Sequence, residues 1–299
     1  MAFTAEALSG HPGFVAALAC LARNLRAVHD ETPRLARALT SQQRWLLSQA
    51  AFALYLEGDP DDPESGLTMV RLKELITGIG GASRNTVLNY LDEMVTYRFA
   101  QYADVPGRRY RRLEVTDMAH AAMMRWFLAN LMALDMLDGG GRAAAMQREP
   151  QLLRAAQPLA ARACLSDPAW REPPGRIAVF LWTESGGLVL DELIARLDPA
   201  AAREGRIDIG RIDIRRMAET FMLSRTHLQR VLKKAAEMGC IGWNEPSRAA
   251  SAWFSTDFLR EYAAWQAIKF AAIDQAFEAA LRDTPQGADH EERLLACRG

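Results

Sequence analysis

The sequence predicts a mainly α-helical chain with small β-hairpins, built as a tandem duplication of one unit. Three observations carry this reading. Ser83-Arg-Asn-Thr-Val-Leu-Asn-Tyr-Leu and Ser224-Arg-Thr-His-Leu-Gln-Arg-Val-Leu align without gaps 141 residues apart, with Val87/Leu228, Tyr90/Val231 and Leu91/Leu232 in register. Thr116-Asp117 and Thr256-Asp257 lie 140 apart, and each pair opens a long apolar segment. Upstream, Pro33 to Thr40 resembles Pro158 to Ser166. Three matches in the same order argue for a repeat rather than chance. The expected division is an N-terminal helical extension over 1–32, a first unit over 33–137, a connection over 138–157, a second unit over 158–282 and a tail over 283–299.

Each element follows from its local pattern. An apolar helix opens each unit, Trp45 to Leu56 in the first and Ile177 through Trp182 to Leu197 in the second. Polar loops follow, Gly58 to Gly66 and Asp198 to Asp208. Val70, Leu72, Leu75 and Ile76 then make an i, i+3, i+4 stripe, as do Ile214, Met217, Ala218 and Phe221, so a short amphipathic helix is expected in each unit. A tight turn comes next, through Gly78, Gly80 and Gly81 or through Met222-Leu223. Ser83 and Ser224 sit where a hydroxyl accepts from an orphan N–H at a helix start. Behind those helices, Phe99–Tyr102 with Tyr110–Val115, and Cys240–Trp243 with Ser251–Ser255, alternate like strands around Pro-containing turns. Helix, short helix, turn, helix, hairpin, long helix is the order of a winged helix-turn-helix, here in tandem.

The composition excludes several classes. With 49% hydrophobic and 24% charged residues and a net charge of -1, the 299-residue chain has the make-up of an ordinary globular protein without a global field for polyanions. Cys20, Cys164, Cys240 and Cys297 lie far apart, with no C-x-x-C, which suits a reducing cytoplasmic setting. The apolar stretch Phe14 to Ala22 is too short to span a bilayer, and Met118 to Leu137 is interrupted by polar residues, so no membrane partner is expected. Gly78-Ile-Gly-Gly81 lacks the Lys and preceding strand of a phosphate loop, no G-x-S-x-G or H-E-x-x-H occurs, and the five His are scattered. Neither an enzyme, a cofactor nor a metal is expected.

The polar face of the second helix of each unit suits DNA. A helix that enters the major groove with its first turns leading needs exposed polar side chains there. In the second unit these are Arg225, Thr226, His227, Gln229, Arg230 and Lys233; in the first they are Arg84, Asn85, Thr86 and Asn89, followed less favourably by Asp92-Glu93. Arg108, Arg109, Arg111 and Arg112 crowd the first hairpin, placed for a minor groove or flanking phosphates. Arg71, Lys73, Arg215 and Arg216 on the preceding helices add candidate backbone contacts. Residues 206–248 hold nine basic against five acidic residues, a local surplus inside a nearly neutral chain.

Met69-Val-Arg-Leu-Lys-Glu-Leu-Ile with Ser83-Arg-Asn-Thr-Val, and more closely Ile214-Arg-Arg-Met-Ala-Glu with Ser224-Arg-Thr-His-Leu-Gln-Arg-Val-Leu-Lys-Lys, resemble the helix-turn-helix of MarR-like winged-helix bacterial regulators. The resemblance covers about two-thirds of the chain at superfamily level. That family carries one such domain per chain and dimerises, whereas this chain looks like a covalent pseudo-dimer. The resemblance implies a sequence-specific transcription regulator with double-stranded DNA as partner. It also implies a small aromatic effector lodged among the long helices, near His120, Met123, Met124, Trp126, Phe127, Met132 and Met136 or Phe258, Tyr262, Trp265, Phe270 and Phe277. The simpler reading of those residues is the apolar seam between the halves. Cys20 or Cys240 as a redox sensor is weaker still, since Cys240 starts an apolar strand. The N-terminal helix, Phe14 to Val28, is expected to pack on the core or to mediate a homodimer. Two alternatives use the same elements: a protein-interaction scaffold of the chromosome-segregation type, and a plasmid replication initiator.

Overall fold

Helix α1 (Ala5–Ser9) and the longer α2 (Phe14–Glu31) lead into a chain that is mainly helical, with two three-stranded antiparallel sheets. The computed structural model describes residues 2–31 and 41–283, apart from 60, 63, 104–111, 184 and 245–250. Then come α3 (Gln42–Leu56), β1 (Leu67–Thr68), α4 (Met69–Gly78), α5 (Arg84–Thr96), β2 (Ala100–Tyr102), β3 (Arg112–Val115) and α6 (Asp117–Asp138). After α7 (Arg142–Arg148), α8 (Leu152–Ser166) and α9 (Pro168–Arg171), the order resumes with α10 (Gly175–Leu181), α11 (Gly186–Ile194), β4 (Arg206–Arg211), α12 (Ile214–Thr220), α13 (Arg225–Glu237), β5 (Ile241–Trp243), β6 (Ser251–Ser255) and α14 (Thr256–Arg282).

The two sheets share one strand order, β1-β3-β2 and β4-β6-β5, and the turns around them repeat bond for bond. Gly80 and Met222 both adopt positive φ, 68° and 54°. Beside them Gly81 N–H donates to Ile76 O and Leu223 N–H to Ala218 O, each at 2.9 Å. Ser83 Oγ accepts from Thr86 N–H at 3.2 Å, and Ser224 Oγ from His227 N–H at 3.1 Å, so both serines cap their helices as the sequence predicts. At the far ends Arg98 (φ 58°) and Gly239 (φ 70°) reverse the chain. There Phe99 N–H reaches Met94 O at 2.8 Å and Cys240 N–H reaches Ala235 O at 2.9 Å.

Several local expectations need correction. Each hairpin gains a third strand: β1 is two residues long, too short to show a period, and β4 occupies part of what reads as the polar loop Asp198 to Asp208. Only alternate residues of β4, Ile207 and Ile209, are buried, which is why charge dominates its sequence. The apolar stretch from Ile177 to Leu197 is two helices, broken where Ser185 takes φ 57°. Thr116 caps α6 in position, and its counterpart at the start of α14 is Ser255 rather than Thr256. The register agrees, since Ala100 pairs with Val115 and Ile241 with Phe254, each one residue before those caps. Pro33 to Thr40 lies outside the described residues.

One contiguous apolar core runs through both halves. Helix α2 belongs to it: Phe14, Ala17, Leu18 and Leu21 are buried, and Phe14 meets Phe270 of α14 edge to face at 5.3 Å. Its Arg26 pairs with Glu192 of α11 at 3.0 Å and lies 5.0 Å over the Phe221 ring. Residues 138–157 are largely helical, and Ala143, Met146, Leu152, Leu153 and Ala156 are buried there. Arg142 at the start of α7 ties this region down. It donates to Asp274 of α14 at 2.6 Å and to Asp138 of α6 at 2.8 and 2.9 Å, while Phe3 N–H donates to the same buried Asp274 at 2.8 Å.

Candidate functional site

Helix α13 turns an apolar side inward and a basic side outward. Leu228, Val231, Leu232 and Ala235 are buried, an i, i+3, i+4, i+7 stripe. Arg225, Thr226, Gln229, Arg230, Lys233 and Lys234 are exposed. The acids near them pair loosely: Arg225 and Glu219 stand 3.7 Å apart, as do Lys233 and Glu237, with all four side chains more than half exposed. Such contacts contribute little and are screened by salt, leaving the cations available. Arg215 pairs more closely with Glu219, at 2.9 Å. His227 differs from its neighbours: it is half-buried, and its Nε2 is sealed from solvent without a hydrogen-bond partner among the described residues.

On α5, Arg84, Asn85 and Asn89 are exposed and Thr86 is half-buried, its hydroxyl 2.9 Å from that of Ser83. Of the two acids that follow, Glu93 is drawn back onto Arg44 of α3 at 2.6 Å, and Asp92 stays exposed. Arg71 is half-buried and donates to Gly66 O at 3.2 Å. Arg112 donates to Asp59 O at 3.0 Å, holding the loop before β1 rather than extending the hairpin's basic cluster. Arg108, Arg109 and Arg111 lie outside the described residues.

The second hairpin is pinned at its base by Asp208 of β4. Its carboxylate accepts from the Ser251 hydroxyl at 2.6 Å, Gly210 N–H at 2.6 Å and Asn244 Nδ2 at 2.8 Å. These bonds, that from Ser251 foremost, hold Asp208 below the usual carboxylate range. Across the pair β5–β6 the Trp253 ring covers Gly242, where a Cβ would stand 2.1 Å from the ring, so only glycine fits.

Beneath α5 lies a cavity of about 220 Å³, walled by α2, α3, α5, α6, α9, α11 and α14. Of the residues expected either in an apolar seam or around an effector, Phe127, Phe258, Phe270 and Phe277 are buried core. Met123, Trp126, Tyr262 and Trp265 line the cavity. Met132 and Met136 are exposed, because they lie on the outer side of α6. The sequence reading missed the polar members of the lining: Asp191, Gln266 and Lys269. A signal existed, since Lys269 falls at i+4 from Trp265 and i+7 from Tyr262, inside the apolar stripe of α14.

Cys240 is buried, and its thiol donates to Arg176 O at 3.8 Å. Burial pushes it up to about 11, which argues against redox chemistry there. Among the described residues no cluster of His, Cys, Asp and Glu has metal-holding geometry, and no helix is long and apolar enough to cross a membrane. No protein-family model, curated protein or solved structure matches the chain.

Proposed function

We propose that this chain is a sequence-specific DNA-binding transcription regulator of the cytoplasm, reading double-stranded DNA through two winged helix-turn-helix units that arose by internal duplication. The observation that carries the proposal is the outer face of α13. Arg225, Gln229, Arg230 and Lys233 project from the first turns of a capped helix that follows a tight turn and precedes a three-stranded sheet. Arg and Gln are the side chains that make paired hydrogen bonds to guanine and adenine edges. The parallel turns, caps and strand order of the two halves support the duplication. Arg84, Asn85 and Asn89 give α5 a shorter, less basic reading edge, so α13 supplies most of the affinity and α5 a second half-site.

The test is selection of the purified chain on a randomised duplex library, followed by fluorescence anisotropy on the enriched duplex at two salt concentrations with competitor DNA. A sequence is enriched, and binding weakens as salt rises. Arg225→Glu combined with Arg230→Glu lowers affinity at least about tenfold, given about 1–3 kcal/mol for each base-reading pair, while the melting temperature stays put because both side chains are exposed. A library that shows no enrichment, or a double variant that binds as the parent does, refutes the proposal.

A further inference from the structure

The central cavity contains buried polar groups that the chain itself leaves without partners. Lys269 is 4% exposed, and among the described residues its ammonium has no hydrogen bond and no carboxylate within 4.0 Å. What surrounds it are ring faces: Phe270 at 4.8 Å, Trp126 at 5.8 Å and Trp170 at 5.9 Å from Nζ. Trp170 is 2% exposed and its indole N–H also lacks an acceptor. Its ring is fixed on both sides, stacked on Trp265 at 4.1 Å and met edge-on by Trp45 at 5.0 Å. The Trp170 carbonyl is occupied by Gln42 Nε2 at 2.7 Å and Trp265 Nε1 at 3.3 Å. The unused donors of this corner are therefore one ammonium and one indole N–H, both on residues that line the cavity.

Two buried donors converging beside aromatic walls are what a carboxylate carried on an aromatic ring requires. Asp191 is the charged group that faces Lys269 from α11, and Cys164 faces it from α8; both act electrostatically, without contact distance. Burial pushes the Asp191 carboxyl up, opposed by Lys269, so it neutralises the lysine incompletely near neutral pH. Gln266 Oε1, also unpartnered, is left to accept from a donor elsewhere on the ligand. The volume sets the size. A cavity of about 150 Å³ holds benzene, so about 220 Å³ takes one ring with a short acidic arm.

We infer that the cavity is a binding site for a monocyclic aromatic carboxylate, whose carboxylate accepts from Lys269 Nζ and the Trp170 indole N–H while its ring packs among Trp45, Trp126 and Met123. This inference stands independently of DNA binding and is tested without DNA.

The probes are phenylacetate, its neutral amide phenylacetamide and the cation phenethylammonium, titrated calorimetrically into the full chain with tryptophan fluorescence as a second readout. Phenylacetate binds saturably at one site per chain and quenches fluorescence; the amide binds at least tenfold more weakly, and the amine does not bind. Lys269→Met weakens phenylacetate binding at least tenfold. Trp170→Phe keeps the ring, removes the N–H and weakens it severalfold, which preserves the test if the lysine variant does not fold. The inference is overturned if phenylacetate fails to saturate at millimolar concentration, if acid and amide bind alike, if the amine binds better, or if folded Lys269→Met binds as the parent does.

Discussion

Lys269 has a thermodynamic consequence that is measurable with no ligand present. Burial among aromatic rings lowers its ammonium from 10.5 to about 8, with Asp191 and Cys164 acting in the opposite sense. The unfolded chain therefore holds this proton more tightly than the folded one, and folding stability rises with pH across that interval. At about 1.4 kcal/mol per tenfold change, burying the charged lysine costs about 3 kcal/mol near pH 7 and about half that near pH 9.5. Lys269→Met fills the same space without the charge. Denaturant titrations should find it more stable than the parent by about 3 kcal/mol near neutrality, the advantage shrinking to about 1.5 kcal/mol at pH 9.5.

The window isolates the lysine. Asp191 is raised to about 7, so its favourable share is complete below its unfolded value near 3.8, is lost as pH rises through 7, and is mostly gone before the window closes. Tyr90 and Tyr262 are both raised by burial, and they matter only above the unfolded tyrosine value of about 10. Cys164 and Cys240, pushed up to about 12 and about 11, weaken parent and variant alike. If Lys269→Met is less stable than the parent at pH 7, or if the difference does not move with pH, the lysine is a satisfied structural cation and the reasoning fails.

Two further perturbations probe how the halves are held. Asp274→Ala removes the carboxylate that Arg142 and Phe3 N–H share in the core; the unpaired guanidinium costs about 3–5 kcal/mol, or roughly 10 °C in Tm, and a melting curve shifted by less than about 2 °C would contradict this. Gly242→Ala places a Cβ against the Trp253 ring and costs about 1–3 kcal/mol; in a Trp253→Leu background most of that cost should vanish, and additive costs in the double-variant cycle would show the ring is not the obstacle.

The sequence revealed the elements whose signals are local. Ser83 and Ser224 announce their helix starts because a cap needs only one hydroxyl and three following residues. The stripes of α5 and α13 are legible because burial on one face imposes a 3.6-residue period. Strands β1 and β4 escaped because sheet pairing supplies what their own residues do not: two residues have no period, and an edge strand exposed on one side reads as a polar loop. The cavity escaped for a third reason. Its polar corner joins Trp170, Asp191 and Lys269 from three helices, and no spacing along the chain brings those positions together. Arg112 shows the converse error, since a clustered charge in sequence was taken for a surface site, whereas its guanidinium spans back to Asp59.

The cavity and the proposed reading helices are unequally connected, and this shapes what an occupant does. Tyr90, Leu91 and Met94 of α5 form part of the wall, whereas none of the described lining residues comes from α13. An occupant therefore touches the inner face of the helix that presents Arg84 and Asn89, while the more basic α13 is reached only through intervening core. A ligand shifts an equilibrium only by its differential affinity for the two states, and the α5 side chains offer that difference directly. Coupling of about 1–3 kcal/mol is usual between linked sites. Placed on the weaker of two half-sites, it alters the contribution of α5 and leaves α13 engaged, so an aromatic acid should tune affinity and spacing preference rather than abolish binding. Because coupling is reciprocal, the same duplex should change phenylacetate affinity by the same factor, and Asn89→Ala should diminish both effects together.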